Sequence, residues 1–129
     1  MNKEKTAHDD EIINFTDPNF EAALRKITNK PHEPITKTDV EGITALDVER
    51  NGISHMPEIK YFTYLESINC RWNKLTSLDF SGNPLLRTIL CDGNPLDVLD
   101  VSRNPYLEVL KCYDCGLTKL DVCSTSLMS

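Results

Sequence analysis

Few residues in this chain could do chemistry, and spacing decides how each is read. There are five cysteines, and Cys112-Tyr-Asp-Cys115 is a C-x-x-C, the spacing of redox dithiols and of half a zinc site. A zinc site needs a second pair, and no second C-x-x-C exists. Asp79-x-Ser81-x-Asn83 and Asp100-x-Ser102-x-Asn104 set oxygens at alternate positions, as a calcium loop does. They lack that loop's central glycine and its bidentate glutamate. Asp and Asn side chains that organise turns account for them better. His8, His32 and His55 stand at no recognisable spacing to a serine, cysteine or carboxylate, so no triad is indicated. There is no phosphate loop and no dinucleotide fingerprint. The expectation is a protein without catalytic residues, metal or cofactor. A thiol-dependent enzyme using Cys123 or Cys112 and Cys115 is the alternative of a different class.

The elements that hold these residues follow from an internal period. Ile43, Leu46, Val48, Asn51 and Ile53 are matched by Leu65, Ile68, Cys70, Asn73 and Leu75. Leu86, Ile89, Cys91, Asn94 and Leu96 come next, then Leu107, Leu110, Cys112, Cys115 and Leu117. A second apolar pair recurs at Leu78 and Phe80, Leu99 and Val101, and Leu120 and Val122. Alternation at Leu46 and Val48, or Ile68 and Cys70, has period two and predicts a short strand opening each copy, near 46–48, 68–70, 89–91 and 110–112. A single such coil cannot bury its own apolar face, so the copies must stack, with parallel strands ~4.8 Å apart. Asn51, Asn73 and Asn94 fall where the chain turns inward, and their amides are expected to bond neighbouring backbone.

This register explains the cysteines. Cys112 occupies the slot of Cys70 and Cys91, and Cys115 that of the asparagines, so two structural slots produce the C-x-x-C. Stacked thiols keep Cβ atoms near ~4.8 Å, outside the usual disulfide range. Cys70, Cys91 and Cys112 are therefore expected as an inward ladder of free thiols. Cys123 aligns with Ser81 and Ser102 on the outer side.

The pattern LxxLxLxxNxL resembles the leucine-rich repeat family, and the 21-residue form with LxCxxNxLxxLDxSxNP resembles its bacterial surface and secreted members. The segment from Ile13 to Val40 looks like the helical N-terminal cap of internalin-type proteins. The resemblance implies an α/β fold: a right-handed solenoid with a parallel concave sheet and a small helical cap. It also implies a surface or secreted protein that binds another protein. Local signals agree with the cap. Asp17 before Pro18 is an N-cap followed by an N1 proline. Phe20, Ala23, Leu24 and Ile27 recur at helical spacing over 18–28. Thr36 with Asp39 suggests a second short helix near 37–42.

The organisation expected is a mobile tail over 1–11, a cap over 12–42 and repeats over 43–129, divided as 43–64, 65–85, 86–106 and 107–127. No C-terminal cap is expected: Leu127 and Met128 align with Tyr106 and Leu107, just inside a fifth copy. Leu110, Cys112, Leu117, Leu120 and Val122 would then lie near an uncovered end. The readings open are a piece of a longer protein, self-association through this end, or Leu127 and Met128 folding over as a lid. Met1–Asp10 has no apolar run of an export signal. That leaves a cytoplasmic protein, or a surface protein whose signal has been removed.

Between the inward positions lie three outward rows. The first is Asp47, Asn69, Leu90 and Lys111. The second is Glu49, Arg71, Asp92 and Tyr113, and the third Arg50, Trp72, Gly93 and Asp114. Trp72 is the one tryptophan, and Gly93 beside it is expected to leave an open shelf. Trp, Tyr and Arg dominate binding hot spots. The candidate binding face is therefore Trp72, Arg71, Asp92 and Tyr113, with Glu49, Arg50, Lys111 and Asp114 around them. A cation–π pair of Trp72 with Arg50 and lateral ion pairing are the structural alternative. Carbohydrate binding through Trp72 and Tyr113 is a second ligand class. A net charge of −6 argues against nucleic acid as partner, and no apolar run is long enough to span a membrane as a helix.

Overall fold

The computed structural model describes residues 11–116 and the backbone of 119–121. Strands β1 (Ala45–Asp47), β2 (Ser67–Asn69), β3 (Thr88–Leu90) and β5 (Val109–Lys111) form one sheet in that order. Every pairing is parallel, and the register Leu46–Ile68–Ile89–Leu110 follows the repeat. Each strand begins and ends one residue earlier than expected. The ladder nonetheless continues past each strand, because the Val48, Cys70 and Cys91 N–H groups donate to the Asn69, Leu90 and Lys111 carbonyls.

A second sheet lies across the core. It pairs β4 (Val98–Asp100) with β6 (Lys119–Asp121), and a bridge joins Asp79 to Asp100. The recurring pairs around Leu78, Leu99 and Leu120 mark it, but sequence reading did not assign it strands. Between the sheets the core is continuous: Leu46, Ile68, Ile89 and Leu110 from one side meet Phe80, Leu99 and Val101 from the other. The first coil also carries a 3-10 helix, Pro57–Tyr61, which the period did not reveal.

Helix α1 (Pro18–Thr28) starts as its sequence dictates, with Asp17 accepting from the Asn19 N–H and Pro18 in the first turn. The same carboxylate accepts from the Ser54 and His55 N–H groups at 2.6 and 2.9 Å, so one side chain caps the helix and ties it to the first coil. Phe20, Ala23 and Leu24 are buried, with Phe20 against Phe15 and Phe62. Ile27, expected on the same face, is exposed. Helix α2 (Lys37–Glu41) has the reciprocal capping box of Thr36 and Asp39. Glu11 does not belong to a tail: its carbonyl accepts from the Lys37 N–H, and its carboxylate pairs with Lys37 at 2.8 Å.

Asparagines knit the coils. Asn73 Oδ1 accepts from the Asn51 and Ile53 N–H groups, and its amide donates to the Val48 and Cys70 carbonyls. Asn94 repeats the pattern one coil on. Asn51 departs from expectation. It is exposed and donates to the Glu49 carbonyl of its own coil, because no coil precedes it to supply carbonyls. A second ladder, read from sequence as turns alone, is buried at the Asn-Pro corners. Asn83 donates to the Ile59 and Phe62 carbonyls, and Asn104 to those of Phe80 and Asn83.

Candidate binding face

The outward residues after each strand form the candidate site. The row Asp47–Asn69–Leu90–Lys111 is in register across the sheet. Beside it, Asn69 donates to Glu49 Oε1 at 2.9 Å, and Arg50 pairs with the other Glu49 oxygen at 3.3 Å. The Asn69 amide, then the Arg50 guanidinium, hold the Glu49 carboxyl below its ordinary range.

Asp92 is 7% exposed and joins three coils. Its Oδ2 accepts from Arg71 Nε at 2.9 Å, and its Oδ1 from the Tyr113 backbone N–H at 2.6 Å. It therefore positions Arg71 and Tyr113, with one hydrogen bond accepted at each oxygen. Tyr113 projects, 70% exposed. Arg71 is half-buried, and Asp114 is exposed.

The third row is not a strand row. Arg50, Trp72, Gly93 and Asp114 all have positive φ, between 56° and 74°, so this row is the left-handed turn that ends each strand. Parallel bonding persists through it, from the Arg50, Trp72 and Gly93 N–H groups to the Arg71, Asp92 and Tyr113 carbonyls. Gly93 leaves no open shelf. A Cβ there would lie 2.0 Å from Trp72 Cε3 and 2.4 Å from both Cδ2 and Cζ3. Equal distances to the two bonded neighbours place it over the face of the ring, so the indole already fills the space that glycine vacates. Arg50, from the coil on the other side, sets its Cζ 5.6 Å from the ring centroid. The result is an Arg50–Trp72–Gly93 stack in which the indole remains 41% exposed. Among the described residues no acceptor meets its Nε1–H. Arg50 and Gly93 thus take up space against the indole that a stacked ligand would otherwise use.

The thiols behave as core. Cys70, Cys91, Cys112 and Cys115 are free. Cys115 donates its S–H to the Cys91 carbonyl at 3.0 Å, the role Asn94 fills with its amide. Burial pushes the Cys70 thiol up to about 12 and raises those of Cys91 and Cys112. A nucleophile needs the opposite shift. Cys112, expected on the inward ladder and near its last coil, is half-buried. Asp79 and Asp100 each accept from the N–H two residues on, as turn-organising side chains do. Leu117, Val122, Cys123, Leu127 and Met128 lie outside the described residues, and with them most of the expected uncovered end; Leu110 is buried.

Sequence reading missed a second row. Tyr64, Leu85 and Tyr106 are spaced by the repeat step and stand just before the strands, with both tyrosines exposed. The 21-residue step alone could have found it.

Residues 74–99 match the Leucine Rich Repeat family. No curated protein sequence matches the chain. Among solved structures, an internalin (inlF) from Listeria monocytogenes is similar at 22% identity and TM-score 0.74, over 84% of this chain and 32% of that one. An internalin C2 (inlC2) from the same organism is 18% identical with TM-score 0.62, over 89% of this chain and 68% of that one. The functional domain of InlJ from Listeria monocytogenes, described as including a cysteine ladder, is 26% identical with TM-score 0.48, over 84% of this chain and 34% of that one. The chain thus spans about a third of the first internalin's length. The fold is a leucine-rich repeat solenoid of internalin type, as the first two structures show.

Proposed function

We propose that this chain is a non-catalytic protein-interaction module, part of a bacterial surface or secreted protein, whose contact face is the trailing edge of the main sheet. Trp72 and Tyr113 are the anchors, with Arg50, Arg71, Glu49, Lys111 and Asp114 around them. Asp92 is the buried brace.

One observation carries this reading. Trp72 sits in left-handed backbone, which costs an L-residue roughly 1–2 kcal/mol, at a row position where Gly93 shows that glycine fits. Strained residues of this kind concentrate at ligand clamps. The stack braces the indole yet leaves it 41% exposed. Rigid aromatics lose little entropy on binding, which favours them as anchors. The raised thiols of Cys70, Cys91 and Cys112 support the non-catalytic reading.

Affinity capture from extracellular protein extracts tests it. Wild-type protein should retain a discrete protein, and Trp72→Ala or Tyr113→Ala should each lose it while remaining folded by circular dichroism. Equal retention by all three, or none by wild type, contradicts the proposal.

A further inference from the structure

The flank of β1 that faces away from β2 is an open strand position. β1 is the end strand of the main sheet, ahead of β2, β3 and β5. Its coil bonds to the next through the Val48 and Arg50 N–H groups and the Thr44 carbonyl. Backbone groups alternate in direction along a strand, so the N–H and C=O groups of Ala45 and Asp47 point the other way. Among the described residues nothing meets them. Elsewhere in the sheet this slot is filled: β1 fills it for β2, β2 for β3, and β3 for β5.

Burial agrees. The outward residues of β2, β3 and β5 are half-buried, whereas Ala45 and Asp47 are exposed. The opening stops at Glu49, whose N–H donates to Asp47 Oδ1 and whose carbonyl accepts from the Asn51 amide. What remains is one donor and one acceptor on each of Ala45 and Asp47, residues about 6.8 Å apart along the strand. Buried Leu46 and Val48 hold that strand to the core. Natural sheets blunt such flanks with proline or a charge. Thr44–Val48 holds no proline, and its one charge is Asp47.

We propose that this flank takes up an extended, cationic segment of another protein as an added strand. Backbone chemistry sets the class of ligand: an extended polypeptide offers donors and acceptors in alternation at this spacing, and strand addition needs an unpaired sheet edge. Laid antiparallel, the added strand bonds both groups of Ala45 and both of Asp47. Charge sets its sequence. Glu49 is matched by Arg50, whereas Asp47 and Glu41, at the end of α2, are exposed and have no cationic partner among the described residues. A lysine or arginine opposite Asp47 supplies the missing cation. A second copy of this chain brings the same acidic flank and a net charge of −6, which oppose its docking here. The site lies on the first strand's free side and does not depend on Trp72 or Tyr113.

Amide hydrogen exchange and titration with a capped heptapeptide of alternating valine and lysine test the proposal. In the free protein the Ala45 and Asp47 amides should exchange fast, while those of Leu46 and Val48 stay protected. Saturating peptide should slow Ala45 and Asp47 at least about tenfold. The same peptide with glutamate for lysine should bind more weakly, and Asp47→Lys should reverse that preference. N-methylation of one alternate set of peptide amides should abolish binding, and methylation of the other set should spare it, because only one set faces β1. This last pair uses the unaltered protein, so it holds whether or not Asp47→Lys folds. Protection of Ala45 and Asp47 in the free protein overturns the proposal, since the slot is then already filled. So does a peptide that leaves their exchange unchanged, or binding that both methylated peptides keep or lose alike.

Discussion

At the scale of single residues, Gly93 and Trp72 must be read together. Sequence reading treats a glycine beside a tryptophan as empty space. The structure shows the ring lying on the glycine, because a large neighbour fills whatever a missing Cβ leaves. Gly93→Ala should therefore fail twice: its φ of 74° strains any L-residue, and its methyl enters the indole. Urea unfolding should show a loss of about 2 kcal/mol or more; a neutral result would contradict the stack. The cysteines give a second test. Since burial holds Cys70 near 12, alkylation of folded protein at pH 8 should spare Cys70 and Cys91. Mass spectrometry showing rapid Cys70 labelling without unfolding would contradict their place in the core.

At the scale of elements, the apolar period located the four strands of the main sheet to within one residue, and cap chemistry located α1 and α2. Period two and helical spacing are properties of the chain itself, so both are legible. The left-handed row was not. A repeat step tells which residues are neighbours across coils, but not the backbone hand at a turn, and only Gly93 hinted at it. Tyr64, Leu85 and Tyr106 were passed over because a turn residue outside the strand carries no alternation to draw the eye. The joint between α1 and the first coil yields a pH prediction. Burial opposes ionisation of Asp17, but N–H groups of His55, Ser54, Asn19 and Phe20 outweigh it and hold its carboxyl below the ordinary 3.8. A depressed folded value means the stabilisation is present above the unfolded value and is lost as pH falls through the folded one. Asp17→Asn should thus lower the melting temperature at pH 7, and the difference from wild type should shrink below about pH 4. A difference independent of pH would place the effect in packing rather than in the charge. Asn73→Ala, by contrast, should cost about 3 kcal/mol at every pH, since it strands several buried backbone groups without partners.

At the scale of the whole molecule, the stacked coils offer two edges with different chemistry. Strained, stacked Trp72 and the projecting Tyr113 mark the trailing one; exposed Tyr64 and Tyr106 with Leu85 between them, beside a charged row, mark the leading one. Neither carries an activated nucleophile among the described residues, and the ladders of Asn73 with Asn94 and Asn83 with Asn104 keep both in place. The central claim is that partner protein docks on the trailing edge. Because the chain has one tryptophan, 5-fluorotryptophan incorporation gives a single fluorine resonance that reports on Trp72 alone, whatever tryptophans the unlabelled partner contains. Titrating the captured partner into labelled protein should shift or broaden that resonance in step with complex formation followed by sedimentation. A complex that forms while the resonance stays unmoved would contradict the claim.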